Sequence, residues 1–224
     1  MPSALGLVSL GCLLGALVVV AVWFERRRDA LGRPRSFPAW TAMVLVVLAL
    51  VAAIPGAQRR AHEHRLASVV RQLIGQSVTV HCQSTAGALV DTGDELGFVP
   101  YGDDGVPLHT TTLKRDPCAA LRAYLSSNKQ HPSLEQVTAV HVLTHEAMHM
   151  RGETVEAVAE CEAVQRDEQT ASLLGANDAQ ATALAREYWT QVYPRMPDEY
   201  RTSDCAPAGS LDENLPGAPW SVTP

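Results

Sequence analysis

The chain opens with two apolar runs that contain no charged residue, residues 4–24 and 37–54, the second closed by Pro55 and Gly56. Each is long enough to cross the hydrocarbon core of a bilayer as a helix. Beyond them the apolar positions become periodic. QRRAHEHRLASVVRQLI, residues 58–74, is polar first and amphipathic later, and Gly75 is placed to end a helix there. From Ser77 to Leu113 the period shortens to two. SVTVHCQ, ELGFVPYG and VPLHTTTL read as three short strands, the last two separated by GDDG, and we expect a small antiparallel sheet.

Helical spacing then returns. Asp116 and Pro117 open a helix over residues 118–127, and Ser133 with Gln136 forms a capping-box pair ahead of a second helix over 134–151, for which Gly152 is the stop. A third helix is expected over 154–174, ending at Gly175, and a fourth over 179–193, capped by Asn177 or Asp178 and stopped by Pro194. The proline-bearing remainder lacks periodicity. The organisation expected is therefore a transmembrane hairpin over 1–57 (helices about 4–24 and 37–54), a mixed domain of α+β class over 58–203, and an extended tail over 204–224.

Charge sorts these parts. Of the 18 Lys and Arg, seven lie in residues 1–60, where the only acids are Glu25 and Asp29 out of 24 Asp and Glu in the chain. The main domain is thus acidic, which argues against nucleic acid as a partner. The loop between the apolar runs carries Arg26, Arg27, Arg28, Arg33 and Arg35, against Arg59, Arg60 and Arg65 after the second run. The richer side stays in the cytoplasm by the positive-inside rule, so a multi-pass anchor in the cell membrane with an extracellular C-terminal domain is expected. Cysteine usage agrees with that location. Cys82, Cys118, Cys161 and Cys205 are an even set, none in a C-x-x-C pair, and suit two disulfides whose three possible pairings the sequence leaves open.

The candidate chemistry lies in THEAMHMRG, residues 144–152. On a helix, His145 and His149 fall four apart on one face and can reach a single ion, with Glu146 beside them. His141 continues the stripe, but three histidines in line along a rod are too spread for one tetrahedral ion, so it is expected outside the ligand set. His62, His64, His81 and His109 read as solvated or packed side chains.

HEAMH resembles the H-E-x-x-H signature of the zincin metallopeptidases. The metzincin pattern needs a third histidine, and Val155 stands in its place; the gluzincin pattern draws a glutamate from a later helix, and EAVAE, with Glu156, Ala159 and Glu160, is similar to it. The resemblance implies a minimal zincin-like metallopeptidase domain that binds Zn²⁺ through His145, His149 and a third carboxylate. An antiparallel helix pair with a tight turn puts Glu156 opposite His149 and Glu160 one turn deeper, so Glu156 is the expected third ligand, with Glu160 either the alternative ligand or the carboxylate that orients His145. It further implies a zinc-dependent metalloendopeptidase that hydrolyses peptide bonds through a zinc-bound water with Glu146 as general base, and a phenol for the oxyanion from Tyr188, Tyr193 or Tyr200. The expected substrate is a protein or peptide. The competing readings are a non-catalytic cell-envelope module with a structural zinc, and a disulfide-held interaction protein that binds no metal.

Overall fold

The structure, a computed structural model, describes residues 4–28, 32–84, 87–88, 91, 93 and 95–221. It divides into two compact units, Met1–Ala61 and His62–Pro224.

The first unit is a pair of helices. Helix α1, Ala4–Glu25, is followed by a return in which Arg28 bridges Pro34 and the Arg35 amide donates to the Arg27 carbonyl (2.8 Å). Helix α2 starts at Ala39. The two touch through small groups: Ser9 Oγ donates to the Ala49 carbonyl (2.9 Å), and Leu45 lies over Gly15. Large apolar side chains, most of them leucine and valine, are exposed along both helices. Both helices are long and apolar enough to cross a membrane, with mean hydropathies of 2.7 and 2.2.

Helix α2 departs from expectation. It does not stop at Pro55 but runs unbroken from Ala39 to Ile74. Proline removes one i→i−4 hydrogen bond, and helix formers on both sides, Ala52, Ala53, Ala57 and Gln58, carry the ladder past that gap.

In the second unit the C-terminal part of α2 buries Leu66, Val69 and Val70. Strands β1 (Thr79–Cys82), β2 (Gly97–Phe98) and β3 (Thr110–Leu113) form a sheet in the order β1-β3-β2. The sheet is mixed, which corrects the antiparallel expectation. β2 pairs antiparallel to β3 across the tight Gly102–Gly105 turn, whereas β1 pairs parallel, Thr79 opposite Thr110 through Cys82 opposite Leu113. Only a short turn forces reversal of direction, and the connection from β1 to β3 is long. Cys82–Cys118 and Cys161–Cys205 are the disulfides, with Cα separations of 5.8 and 5.5 Å. The first ties β1 to helix α3, Arg115–Ser126.

Helix α4, Leu134–Arg151, is the centre of the unit. Its capping box is formed, the Gln136 amide donating to Ser133 Oγ and the Ser133 amide to Gln136 Oε1, and Gly152 closes it at φ 119°, a conformation few other residues adopt. Thirteen of its 18 residues are buried, because α3, the sheet and the three following helices surround it. The single helix expected over 154–174 is two: α5, Glu156–Val164, and α6, Asp167–Leu173. The break at Gln165 and Arg166 lets Asp167 turn its carboxylate back to His141. Helix α7, Asp178–Glu187, continues as a wide π-turn over Tyr188–Val192. Residues 204–221, expected as an extended tail, run through successive turns laid on α5. Arg166 holds Glu213 with both guanidinium arms (2.5 and 2.6 Å), Gln165 exchanges hydrogen bonds with Leu211 and Glu213, and Trp220 meets Trp189 edge-on at 5.0 Å.

Candidate metal centre

Four-residue spacing on α4 stacks His141, His145 and His149 along one face, and the tight Gly152 turn brings α5 back across them. His149 is oriented by its Nδ1–H, which donates to the Glu153 carbonyl (2.8 Å) just past the helix end. That leaves Nε2 as the nitrogen turned toward the cleft. His145 turns Nδ1 toward Glu160 Oε2, 3.1 Å away though off the line of a well-formed hydrogen bond, and so presents its own Nε2 on the same side. The two Nε2 atoms stand 3.0 Å apart. Glu156 Oε2 lies 3.1 Å from one and 3.3 Å from the other.

Those three separations test whether an ion fits. A tetrahedral zinc with bonds of about 2.0–2.1 Å spaces its donors roughly 3.3–3.4 Å apart. The donor set, two imidazoles and a carboxylate, is one that zinc takes, and the atoms already form a triangle close to that size. In the metal-free chain, burial opposes charge on His145, but the hydrogen bond to Glu156 and the close Glu160 carboxylate outweigh burial and raise its pKa to about 9. The same two histidines, by hydrogen bonding, pull Glu156 down to about 2.

The two glutamates of EAVAE have different surroundings. Glu156 has a half-exposed side chain and converges with both Nε2 atoms. Glu160 is buried and fully engaged: Oε2 accepts from His141 Nε2 (2.9 Å) and faces His145 Nδ1, while Oε1 accepts from the Tyr188 hydroxyl (2.6 Å). Burial would raise its pKa, yet the His141 and His145 interactions push it far below the ordinary glutamate value. His141, in turn, gives Nδ1 to Asp167 Oδ2 (2.8 Å) and stacks on the Tyr188 ring at 3.5 Å. Burial works against its charge, but the flanking Asp167 and Glu160 carboxylates prevail and lift its pKa to about 10, so it is an imidazolium.

Glu146 points to the other side of α4, toward the sheet. It is 4 % exposed, and Thr111 Oγ1 on β3 lies 3.3 Å from Oε2 and 3.0 Å from the Phe98 carbonyl. β2 passes so closely over it that a Cβ on Gly97 would stand 2.8 Å from Glu146 Oε1. Burial raises the Glu146 pKa, against the pull of the two histidines and the threonine hydroxyl.

His145, His149, Glu146, Glu156 and Glu160 all line one cleft of about 550 Å³. Of the three tyrosines, Tyr188 is committed to Glu160, and Tyr193 exchanges hydrogen bonds with the Thr202 backbone. Tyr200 lines the cleft, its ring 5.8 Å from that of His145, and burial with the surrounding carboxylates raises its pKa to about 12, so it keeps its proton. His81 and His109 are exposed and lie outside the cleft lining. His62, expected to be solvated, is instead buried, with Nε2 at the Cys118 carbonyl (3.2 Å).

Sequence reasoning missed Asp167, Thr111 and Gly97. Each reaches its partner across 26 to 49 residues of chain, where no local spacing signals it. Compared with protein-family models, with curated proteins and with solved structures, the chain gives no match in any of the three.

Proposed function

We propose that this protein is a membrane-anchored zinc-dependent metallopeptidase of zincin type, with His145, His149 and Glu156 as the zinc ligands and Glu146 as the general base. The observation that carries the reading is the convergence of three donor atoms beside a buried glutamate in an open cleft. The carboxylate of Glu160, 3.1 Å behind the His145 ring, is then the group that would orient it once a metal is bound. An exterior position for the domain is supported by the arginine-rich loop of the hairpin and by the two disulfides.

A bound zinc ion supplies Lewis acidity, polarising a peptide carbonyl and making water acidic enough to attack it. Glu146 takes the proton from the attacking water as the new C–O bond forms. As the C–N bond breaks, Glu146 returns that proton to the departing amine, so the peptide and one water become an acid and an amine. In this reading Tyr200, which lines the cleft with its ring 5.8 Å from that of His145, donates its phenol to the oxyanion. β2 is the edge strand of its sheet and lines the cleft, which suits an extended peptide that adds to that edge. Structural zinc sites close the ion with four protein ligands, so the open cleft speaks against a purely structural metal.

Zinc content and cleavage of denatured casein by the detergent-solubilised chain, measured beside Glu146→Gln, test the reading. We expect bound zinc in both proteins and cleavage only in the wild type. A chain that takes up no zinc, or cleavage that survives the substitution, contradicts it.

A further inference from the structure

His62, Cys82 and Cys118 are carried by three different elements, α2, β1 and α3, and meet at one place. A ring nitrogen of His62 and the two Sγ atoms lie within 4.8 Å of one another, and all three side chains are buried. Adjacent residues of α2 fasten both cysteines through their backbones: His62 Nε2–H donates to the Cys118 carbonyl (3.2 Å), and Glu63 Oε1 accepts from the Cys82 amide (2.9 Å). A disulfide needs no imidazole beside it, and burying one costs free energy that an aliphatic side chain in the same place would not.

The frame that turns the two cysteines toward each other does not depend on their bond. β1 pairs with β3 from Thr79 opposite Thr110 to Cys82 opposite Leu113, and α3 begins at Arg115, just beyond the end of β3. With the Cα atoms 5.8 Å apart, rotation of the side chains is enough to part the sulfurs while the backbone stays in place. On a tetrahedral zinc ion, with bonds of about 2.3 Å to sulfur and about 2.0–2.1 Å to nitrogen, two sulfurs stand roughly 3.8 Å apart and a nitrogen roughly 3.6 Å from each. Those separations fit inside the 4.8 Å cluster. Two thiolates and an imidazole are also a donor set that zinc takes.

We propose that His62, Cys82 and Cys118 form a second zinc site, closed while the disulfide stands and open once the two sulfurs are reduced. The site shares no residue with the His145, His149 and Glu156 cluster, so it is independent of the peptidase reading. Its two states interconvert by thiol–disulfide exchange: an external dithiol gives two electrons and two protons to the Cys82–Cys118 bond and itself becomes a disulfide, leaving two thiols. Zn²⁺ then binds both sulfurs and the imidazole, and the two thiol protons go to solvent. The ion holds α2, β1 and α3 together where the covalent bond no longer does, as in a newly made chain before oxidation.

The full-length protein in detergent is loaded with zinc in two forms, as oxidised chain and after reduction by a phosphine, which takes oxygen from water and adds no competing thiol. Metal analysis counts the zinc, and X-ray absorption reads its ligands. The reduced chain should hold one more zinc than the oxidised chain, with sulfur at about 2.3 Å, and the oxidised chain should show no zinc-bound sulfur. The extra ion should be lost in a Cys82→Ser, Cys118→Ser double variant and kept in Cys161→Ser, Cys205→Ser. His62→Ala should weaken it at least about tenfold and leave the zinc count of the oxidised chain unchanged. A wild type that gains no zinc on reduction overturns the proposal, as does an extra ion that survives loss of Cys82 and Cys118 or binds equally well in His62→Ala. If the peptidase reading fails, the oxidised chain starts from no zinc, and the gain on reduction still decides this site.

Discussion

Two clusters on the same helix use the same residue type at the same spacing and come to opposite states. His141 is sealed: Asp167 and Glu160 take its two ring nitrogens, Tyr188 covers its face, and it is held as a cation at about 10. One turn on, His149 gives its Nδ1 to the Glu153 carbonyl, His145 turns Nδ1 toward Glu160, and both Nε2 atoms converge with a half-exposed glutamate in a cleft. Spacing on α4 therefore offers three histidines, and the company each one keeps decides its role. Where two carboxylates and a phenol close around the ring, the result is a buried ion network; where one side stays open, the result is a set of donor atoms converging in a cleft.

The contrast can be broken from the open side first. Glu146→Gln keeps the size of the side chain and removes its basicity, and should lower kcat for peptide cleavage by about 10²–10⁴-fold with zinc retained, read by steady-state kinetics and metal analysis. From the sealed side, His141→Ala leaves Asp167 and Glu160 as buried carboxylates without their cation. Breaking such a pair costs about 3–5 kcal/mol, so we expect a large fall in Tm even with chelator present. Glu156→Gln should do the reverse, costing much less Tm in chelator than His141→Ala because the Glu156 side chain is half exposed, while zinc affinity falls by about 10–100-fold or more in competition titrations. Equal Tm losses for the two variants would erase the distinction between the clusters.

Much of the open cluster was legible in the sequence, because His145, Glu146, His149, Glu156 and Glu160 lie within 16 residues and the capping box, the Gly152 stop and the short return are local signals. The sealed cluster was not. Asp167 and Tyr188 reach His141 only because the helix expected over 154–174 breaks at Gln165 and α7 widens into a π-turn, both consequences of tertiary packing. Strand positions were legible, but the direction of β1 was not, since alternation of apolar and polar residues is the same in either direction. Pro55 misled for a related reason: a proline weakens a helix locally, and whether the helix continues depends on what flanks it.

The smallest effect concerns the segment laid on α5. Arg166 hydrogen-bonds Glu213 and holds its pKa below the ordinary value, so the contribution of this pair is present above about pH 4.5 and is lost as pH falls through the lowered folded value. Glu213→Gln should flatten that acid limb in a Tm-against-pH series and change the neutral Tm by only a degree or two.

X-ray absorption at the zinc edge of the purified full-length protein tests the central claim most directly. The account predicts two imidazole ligands and oxygen donors at about 2.0–2.1 Å, with the imidazole signal lost in a His145→Ala, His149→Ala double variant. Sulfur scattering at about 2.3 Å, or a protein that holds no zinc at all, would contradict it.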